Sequence, residues 1–317
     1  MRSDAAAGRS GYIHEAAVYN SDDEFLAIMI PFLIEGAEAG EPTVVAVGQR
    51  VGGLLRAALD DTPYISFHDA SFLQPASAIR GYRELLASYV EHGAQRLRVV
   101  GEVPHPGTGQ PWEWWARYEA VSSHVFGDFP LWALCSYDAR VAPAQVLADA
   151  ARTHPYLATT DGGHVANECF EEPGEFLARR PTNLADPLEA TPPAIDLTGP
   201  TLPGARRAVR GAAQAGHLDD TETARIMYAV NEVVTNALCH GRPPVRLQLW
   251  TAPGRVVAAI TDRGPGPADP FTGLVPPNTS TGVGLWLTHQ MCSHMTLGEE
   301  DDGFTVHLVA GSPGLTR

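Results

Sequence analysis

The sequence predicts two consecutive α/β domains. Three observations support this: short apolar β runs alternating with amphipathic helices as far as about residue 178, a proline-rich stretch with neither period after it, and a second half that opens on two helices and continues in strands. A chain of 317 residues can bury a separate core in each half.

Residues 1–11 read as disordered. His14 to Tyr19 is a strand candidate, and Ser21 followed by Asp22, Asp23 and Glu24 is a helix cap with an acidic first turn. The helix from Asp22 to Ala39 carries Phe25, Ile28, Met29, Phe32 and Leu33 as its apolar stripe and stops at Gly40. Strands are expected from Thr43 to Val47, Tyr64 to His68, Leu97 to Glu102 and Leu131 to Tyr137. Helices are expected from Gly52 to Leu59, Ala76 to Gly93, Pro111 to Phe126 and Pro143 to Thr153. This alternation over residues 12–178 implies a parallel sheet, doubly wound or RecA-like.

Two local features of this half invite chemistry. Gly48-Gln49-Arg50-Val51-Gly52-Gly53 follows a strand like a phosphate-binding loop, but Leu54-Leu55 stands where Lys-Ser/Thr is needed, so a tight turn is expected. His14, His68, His105, His124, Cys135 and His154 could supply metal ligands, yet no two have tight ligand spacing, so capped or solvent-facing histidines are expected. The Trp112, Trp114, Trp115 group reads as core.

Residues 179–196 contain Pro181, Pro187, Pro192 and Pro193 and read as an extended, semi-stiff linker. In the second domain, residues 197–317, Leu202 to Ala215 is a first helix and Asp219-Asp220 caps the second. Val245 to Thr251, Val256 to Asp262 and Gly303 to Val309 are strands, and Gly284 to Met295 a third helix. Helices on one face of a mixed sheet make an α/β sandwich.

The second helix puts Ile226, Met227, Val230, Val233, Val234, Ala237 and Leu238 on one face and Glu232, Thr235, Asn236, Cys239 and His240 on the other. A carboxylate and a carboxamide four residues apart point the same way. Downstream, Asp262-Arg263-Gly264-Pro265-Gly266 and Thr281-Gly282-Val283-Gly284-Leu285 are glycine-punctuated loops, where backbone can approach a nucleotide and its N–H groups can meet phosphate.

In this order, E-x-x-x-N-A-x-x-H, D-x-G-x-G and G-x-G-L resemble the N, G1 and G2 boxes of the GHKL (Bergerat-type) ATPases. That resemblance implies a GHKL α/β sandwich that binds ATP with Mg²⁺. It makes Asn236 the Mg²⁺ ligand and Glu232 the catalytic base. It assigns Asp262 to the adenine amino group, Gly264 and Gly266 to backbone approach, and Gly282, Val283, Gly284 and Leu285 to the phosphates. In the first half, His14, the run from Tyr19 to Phe25, Phe32-Leu33-Ile34-Glu35-Gly36 with Gly40-Glu41-Pro42, Cys135-Ser136-Tyr137-Asp138 and Thr153-His154-Pro155 are similar to the MEDS sensory domain.

A single short helix leading into the ATPase core, in place of a long hairpin with a phosphoacceptor histidine, and the few residues after Val309 look like the anti-sigma serine kinases, and the pairing with a MEDS-like half is similar to RsbA-type anti-sigma regulators. The resemblance implies a serine kinase that binds a sigma factor, phosphorylates a STAS-type anti-anti-sigma protein and is gated by the sensory domain. A homodimer is expected on the same ground. The alternative is a switch in which ATP occupancy alone sets partner affinity; the prolines between Arg263 and Thr281 suit a stiff lid of that kind.

Composition narrows the field. A net charge of −15 argues against direct nucleic-acid or anionic-membrane partners. All 22 basic residues are arginine, which excludes P-loop and Schiff-base lysines. Four scattered cysteines suggest neither a disulfide framework nor a cysteine zinc site. With no signal-like segment or membrane span legible, the expected compartment is the cytoplasm.

Overall fold

The computed structural model describes residues 11–59, 62, 64–69, 75–106, 112–180, 185–275, 283–300 and 303–311. Two compact units divide between Ala178 and Arg179. The expected disorder of residues 1–11 falls, apart from Gly11, outside the described residues.

The first unit runs β1 (Ile13–Tyr19), α1 (Asp22–Glu38), β2 (Thr43–Val47), α2 (Gln49–Leu59), β3 (Ile65–Asp69), α3 (Pro75–Glu91), β4 (Leu97–Glu102), α4 (Trp112–Phe126), β5 (Leu131–Asp138), α5 (Ala144–Thr153), β6 (Tyr156–Ala158), β7 (His164–Ala166) and α6 (Pro173–Ala178). The seven-stranded sheet has the order β3-β2-β4-β5-β1-β6-β7. All its ladders are parallel except β6–β7. Sheet strands covered on both faces read as near-continuous apolar runs, and β2 and β5 are buried at every position.

Period-two alternation sorts the faces of the central strands. Ile13, Ala17 and Tyr19 of β1 and Trp132 and Leu134 of β5 join the core built with Phe25, Met29 and Phe32 of α1. The alternate residues, His14 of β1 and Cys135 and Tyr137 of β5, meet α4 instead: Ser122 lies against His14, and Tyr137 donates to Glu119.

One cation is placed deep in this unit. Arg98 of β4 is 1% exposed. Its Nε donates to Glu41 at 2.6 Å and its Nη1 to the Phe32 carbonyl at 2.8 Å. Gly36 gives it room, since a Cβ there would stand 2.7 Å from the Arg98 side chain.

At the carboxyl ends of β1 and β5, Arg140 and Arg50 bind both Asp22 and Asp138. The Arg140 hydrogen bonds hold the Asp138 carboxyl below the usual carboxylate range. A depressed folded pKa contributes stability that is present above the unfolded value and is lost as pH falls through the folded one. Acid denaturation of this unit is therefore expected to begin at higher pH in Arg140→Ala, as followed by tryptophan fluorescence across a pH series.

The second unit begins with a short 3₁₀ helix, Pro187–Ala190, followed by β8 (Ile195–Thr198), α7 (Leu202–Ala215), α8 (Asp220–His240), β9 (Arg246–Ala252), β10 (Arg255–Asp262), α9 (Val283–Met291), β11 (His294–Glu300) and β12 (Gly303–Gly311). Its sheet has the order β11-β12-β10-β9-β8, with every ladder antiparallel rather than mixed. One face packs under α7 and α8 around Val209, Ile226, Val230, Leu247 and Leu308. The apolar stripe of α8 narrows at its last turn: Leu238, about 80° round from Val230, is 48% exposed.

The linker expected over 179–196 is only partly extended. Asp186 and Glu189 form a capping box, and Pro187 occupies the first turn, where its missing N–H costs nothing. Trp250 Nε1 donates to the Thr191 carbonyl at 2.7 Å, and Leu188 packs on Trp250 and Val257. The segment thus covers the sheet face that the helices leave open.

Candidate functional site

The helix carrying the acidic-amide ridge is cut to measure. Asp219 caps α8 by accepting from Glu222 N–H at 2.7 Å, and Gly241 ends it. Glu232 and Asn236 are half-buried on successive turns, flanking the buried Val233, Val234 and Ala237. Thr235 Oγ1 donates to the Asn231 carbonyl at 2.7 Å, turning its hydroxyl back onto the helix.

At the far end of α8 stands Asp262, the last residue of β10 and 8% exposed. Its Oδ1 accepts from Arg242 N–H at 3.0 Å and Gly264 N–H at 2.6 Å. Among the described residues no bond falls on Oδ2. Two glycines make this position possible. A Cβ on Gly241 would lie 2.3–2.5 Å from the Asp262 carboxylate, and one on Gly264 2.7 Å from Oδ1. Gly266 has φ +69°, and a Cβ there would strike the Phe304 ring at 2.2 Å. Glycine is required for both conformation and space.

At the other end, Glu232 lies against the first turn of α9: a Cβ on Gly284 would meet Glu232 Oε2 at 2.6 Å. Tyr228, one turn earlier, has its phenol raised by burial and then by the Glu232 charge. Val283, Gly284 and Leu285 are half-buried, and Leu285 packs on the core. Gly282 and Thr281 lie outside the described residues, as do Pro276 and Pro277. α9 ends at Met291, short of the expected Met295, and His289 Nδ1 fixes it to the Gly273 carbonyl at 3.0 Å.

From Glu232 to Gly241 the ridge is about 13 Å long, at 1.5 Å per residue. It runs from a helix start free of side chain at Gly284 to a buried carboxylate with one oxygen unengaged among the described residues. These features fit an elongated nucleotide: an acceptor for a base amino group at one end, backbone N–H groups for phosphate at the other, and an amide oxygen for a hard cation between them. Gly241, whose clearance lets Asp262 sit there, and Arg242, whose N–H orients it, are members that the sequence reading passed over. A glycine ending a helix looks like an ordinary stop signal.

In the first unit, the glycine loop is filled from within. Gly48 N–H donates to Glu102 Oε2 at 2.7 Å, so a carboxylate already occupies the start of α2. The histidines expected to be capped or solvent-facing divide into two groups. His68 is exposed, but His14 and His154 are buried, and both converge on Cys135 and on Glu119, which the sequence reading had not included. Burial and then the Glu119 charge push the Cys135 thiol up; burial and then His154 lower His14.

Residues 13–155 match the MEDS family, the MEthanogen/methylotroph, DcmR Sensory domain, and residues 197–310 match the histidine kinase-like ATPase domain. No curated protein matches. Among solved structures, the RsbU and RsbW domains of a Mycobacterium tuberculosis protein are 22% identical over 39% of this chain and 33% of that chain, with a TM-score of 0.27. The histidine kinase domain of the E. coli osmosensor EnvZ is 19% identical over 40% of this chain and 93% of that chain, with a TM-score of 0.25. The chain thus spans about a third of the mycobacterial chain. No described helix is long and apolar enough to cross a membrane.

Proposed function

Because residues 13–155 are a MEDS sensory domain and residues 197–310 a histidine kinase-like ATPase domain, we propose that the chain is an ATP-binding regulator of the anti-sigma type. In this reading it transfers phosphate to a serine of a STAS-type partner under control of its sensory domain. The observation that carries it is the α8 ridge, closed at one end by Asp262 and at the other by Gly284 against Glu232.

Asp262 Oδ2 accepts the adenine amino hydrogen, and Gly264 and Gly266 bring backbone to the base. Asn236 would hold Mg²⁺, which when bound would neutralise phosphate charge, and the start of α9 would receive the phosphates. His217 lies in the turn between α7 and α8 with φ 55°, not on a helix, which favours an acceptor on a partner protein.

Asp262→Asn separates the site's architecture from its ligand. The asparagine oxygen can still take the Arg242 and Gly264 N–H groups, but its amide nitrogen replaces an acceptor with a donor facing a donor. Loss of that bond costs about 2 kcal/mol, roughly 30-fold in Mg-ATP affinity by calorimetry, with the melting temperature of the free protein little changed. Unaltered affinity would remove Asp262 from the nucleotide site. The transfer step is tested by incubating the full chain with Mg-ATP and its cognate STAS protein and mapping phosphoserine by mass spectrometry. Nucleotide-dependent partner binding without phosphoserine would sink the kinase reading and leave an occupancy switch.

A further inference from the structure

We propose that His14, Glu119, Cys135 and His154 form a binding site for one divalent transition-metal ion, of which zinc is the type, inside the sensory domain. The four come from β1, α4, β5 and the residue after α5, and their ligand atoms all lie within 4.8 Å of one another. His154 Nε2 is 3.0 Å from Glu119 Oε2, His14 Nε2 is 3.6 Å from the same oxygen, and Cys135 Sγ is 3.4 Å from His14 Nε2. A tetrahedral ion with ligands about 2.0–2.3 Å away separates them by roughly 3.3–3.8 Å. With every pair within 4.8 Å, closing the site on an ion takes side-chain shifts of about an ångström at most, not a rearrangement.

The hydrogen bonds around the cluster decide which way each ring presents its lone pair. His154 Nδ1 is 2.8 Å from the Ala150 carbonyl, which can only accept, so Nδ1 carries the proton. Ser122 donates its hydroxyl to the Glu119 carbonyl at 2.8 Å, so it accepts from His14 Nδ1 at 3.1 Å. With Nδ1 the donor in each ring, Nε2 is the nitrogen turned inward and the one free to present a lone pair to an ion. This is the second-layer arrangement that holds metal-binding imidazoles in one tautomer.

Tyr137 donates to Glu119 Oε2 at 2.7 Å, a further outer bond of the same kind. The buried His154 Nε2 and Glu119 Oε1 make no hydrogen bond among the described residues. A ring nitrogen and a carboxylate oxygen facing each other while buried form an arrangement that only a shared proton or a cation relieves.

Charge and chemistry point to the same occupant. A glutamate and a thiolate bring two negative charges, which a dication cancels, leaving a neutral buried assembly. Cys135 releases its proton on binding. Imidazole, thiolate and carboxylate together suit zinc or a neighbouring transition metal, and disfavour calcium or magnesium, which take oxygen ligands. Entry is provided by a cleft that His14, Glu119 and Cys135 line together with Tyr12, Tyr82 and Trp115.

The test uses the full chain, stripped with a chelator and titrated with cobalt(II) chloride. The expected result is one equivalent bound, with the visible bands of a tetrahedral ion and a thiolate-to-cobalt charge-transfer band, all displaced by zinc. Cys135→Ser should abolish the charge-transfer band, and His154→Gln should weaken zinc binding at least tenfold. Circular dichroism of the metal-free variants establishes that they fold. No stoichiometric uptake overturns the proposal, and so does a spectrum that Cys135→Ser leaves unchanged, which would assign the ion to Cys169, Cys239 or surface histidines. Neither outcome depends on the nucleotide site.

Discussion

Arg98→Ala is expected to destabilise the first unit by about 3–5 kcal/mol, the cost of breaking a buried ion pair by removing one partner. The cause is not loss of a surface bridge, which would be worth at most about 1 kcal/mol. Arg98 is 1% exposed. It satisfies the Phe32 carbonyl at the centre of α1 and the Glu41 carboxylate. Its guanidinium also lies 5.1 Å from the Phe32 ring centroid and 4.9 Å from that of Trp132.

Truncation leaves a carboxylate without its cation, a carbonyl without its donor, and a hole between two aromatic rings. Arg98→Lys should recover only part of the loss, because one ammonium cannot span two acceptors as a planar fork does. Urea denaturation read by tryptophan fluorescence checks this, since Trp112, Trp115 and Trp132 all sit in that unit's core. A shift below about 1 kcal/mol would mean that Glu41 and Phe32 find other partners on truncation.

How far such details were legible from the chain depends on whether a feature is local. β2 was bounded to the residue because a strand buried on both faces leaves an uninterrupted apolar run between turn residues. β11 was missed. Met291 and Met295 share a helical face across Ser293, but the residues from His294 onward pair with β12 instead, and non-local pairing overrode the local pattern. The candidate site of the second domain could be put forward from the chain because Glu232 and Asn236 share one helix and the glycines flank recognisable turns.

The histidine cluster was not legible, because its members lie in four elements far apart in sequence. Only the parallel register that sets β1 beside β5, with α4 packed over their common face, brings them within reach. No spacing rule contains that information. The 3₁₀ helix at Pro187 was obscured for a different reason: prolines that read as linker also suit a helix's first turn.

Glu232→Gln should leave Mg-ATP affinity within a few-fold of wild type while slowing phosphotransfer to the partner serine by about 10²–10⁴, the usual contribution of a positioned general base. Glutamine has the length and planarity of glutamate, so its side chain can occupy the same place against Gly284, where a Cβ would come within 2.6 Å of Oε2. What it cannot do is take the serine proton as the oxygen attacks. A purely structural role for Glu232 predicts the reverse pattern, with binding and melting temperature falling together and transfer falling only in proportion. Gly284→Ala supplies an independent check on the same contact. The new methyl displaces the flexible tip of Glu232 rather than backbone, so transfer should fall although the base itself is intact. If Glu232→Gln phosphorylates the STAS protein at the wild-type rate, the proton goes elsewhere and the ridge serves to bind nucleotide alone.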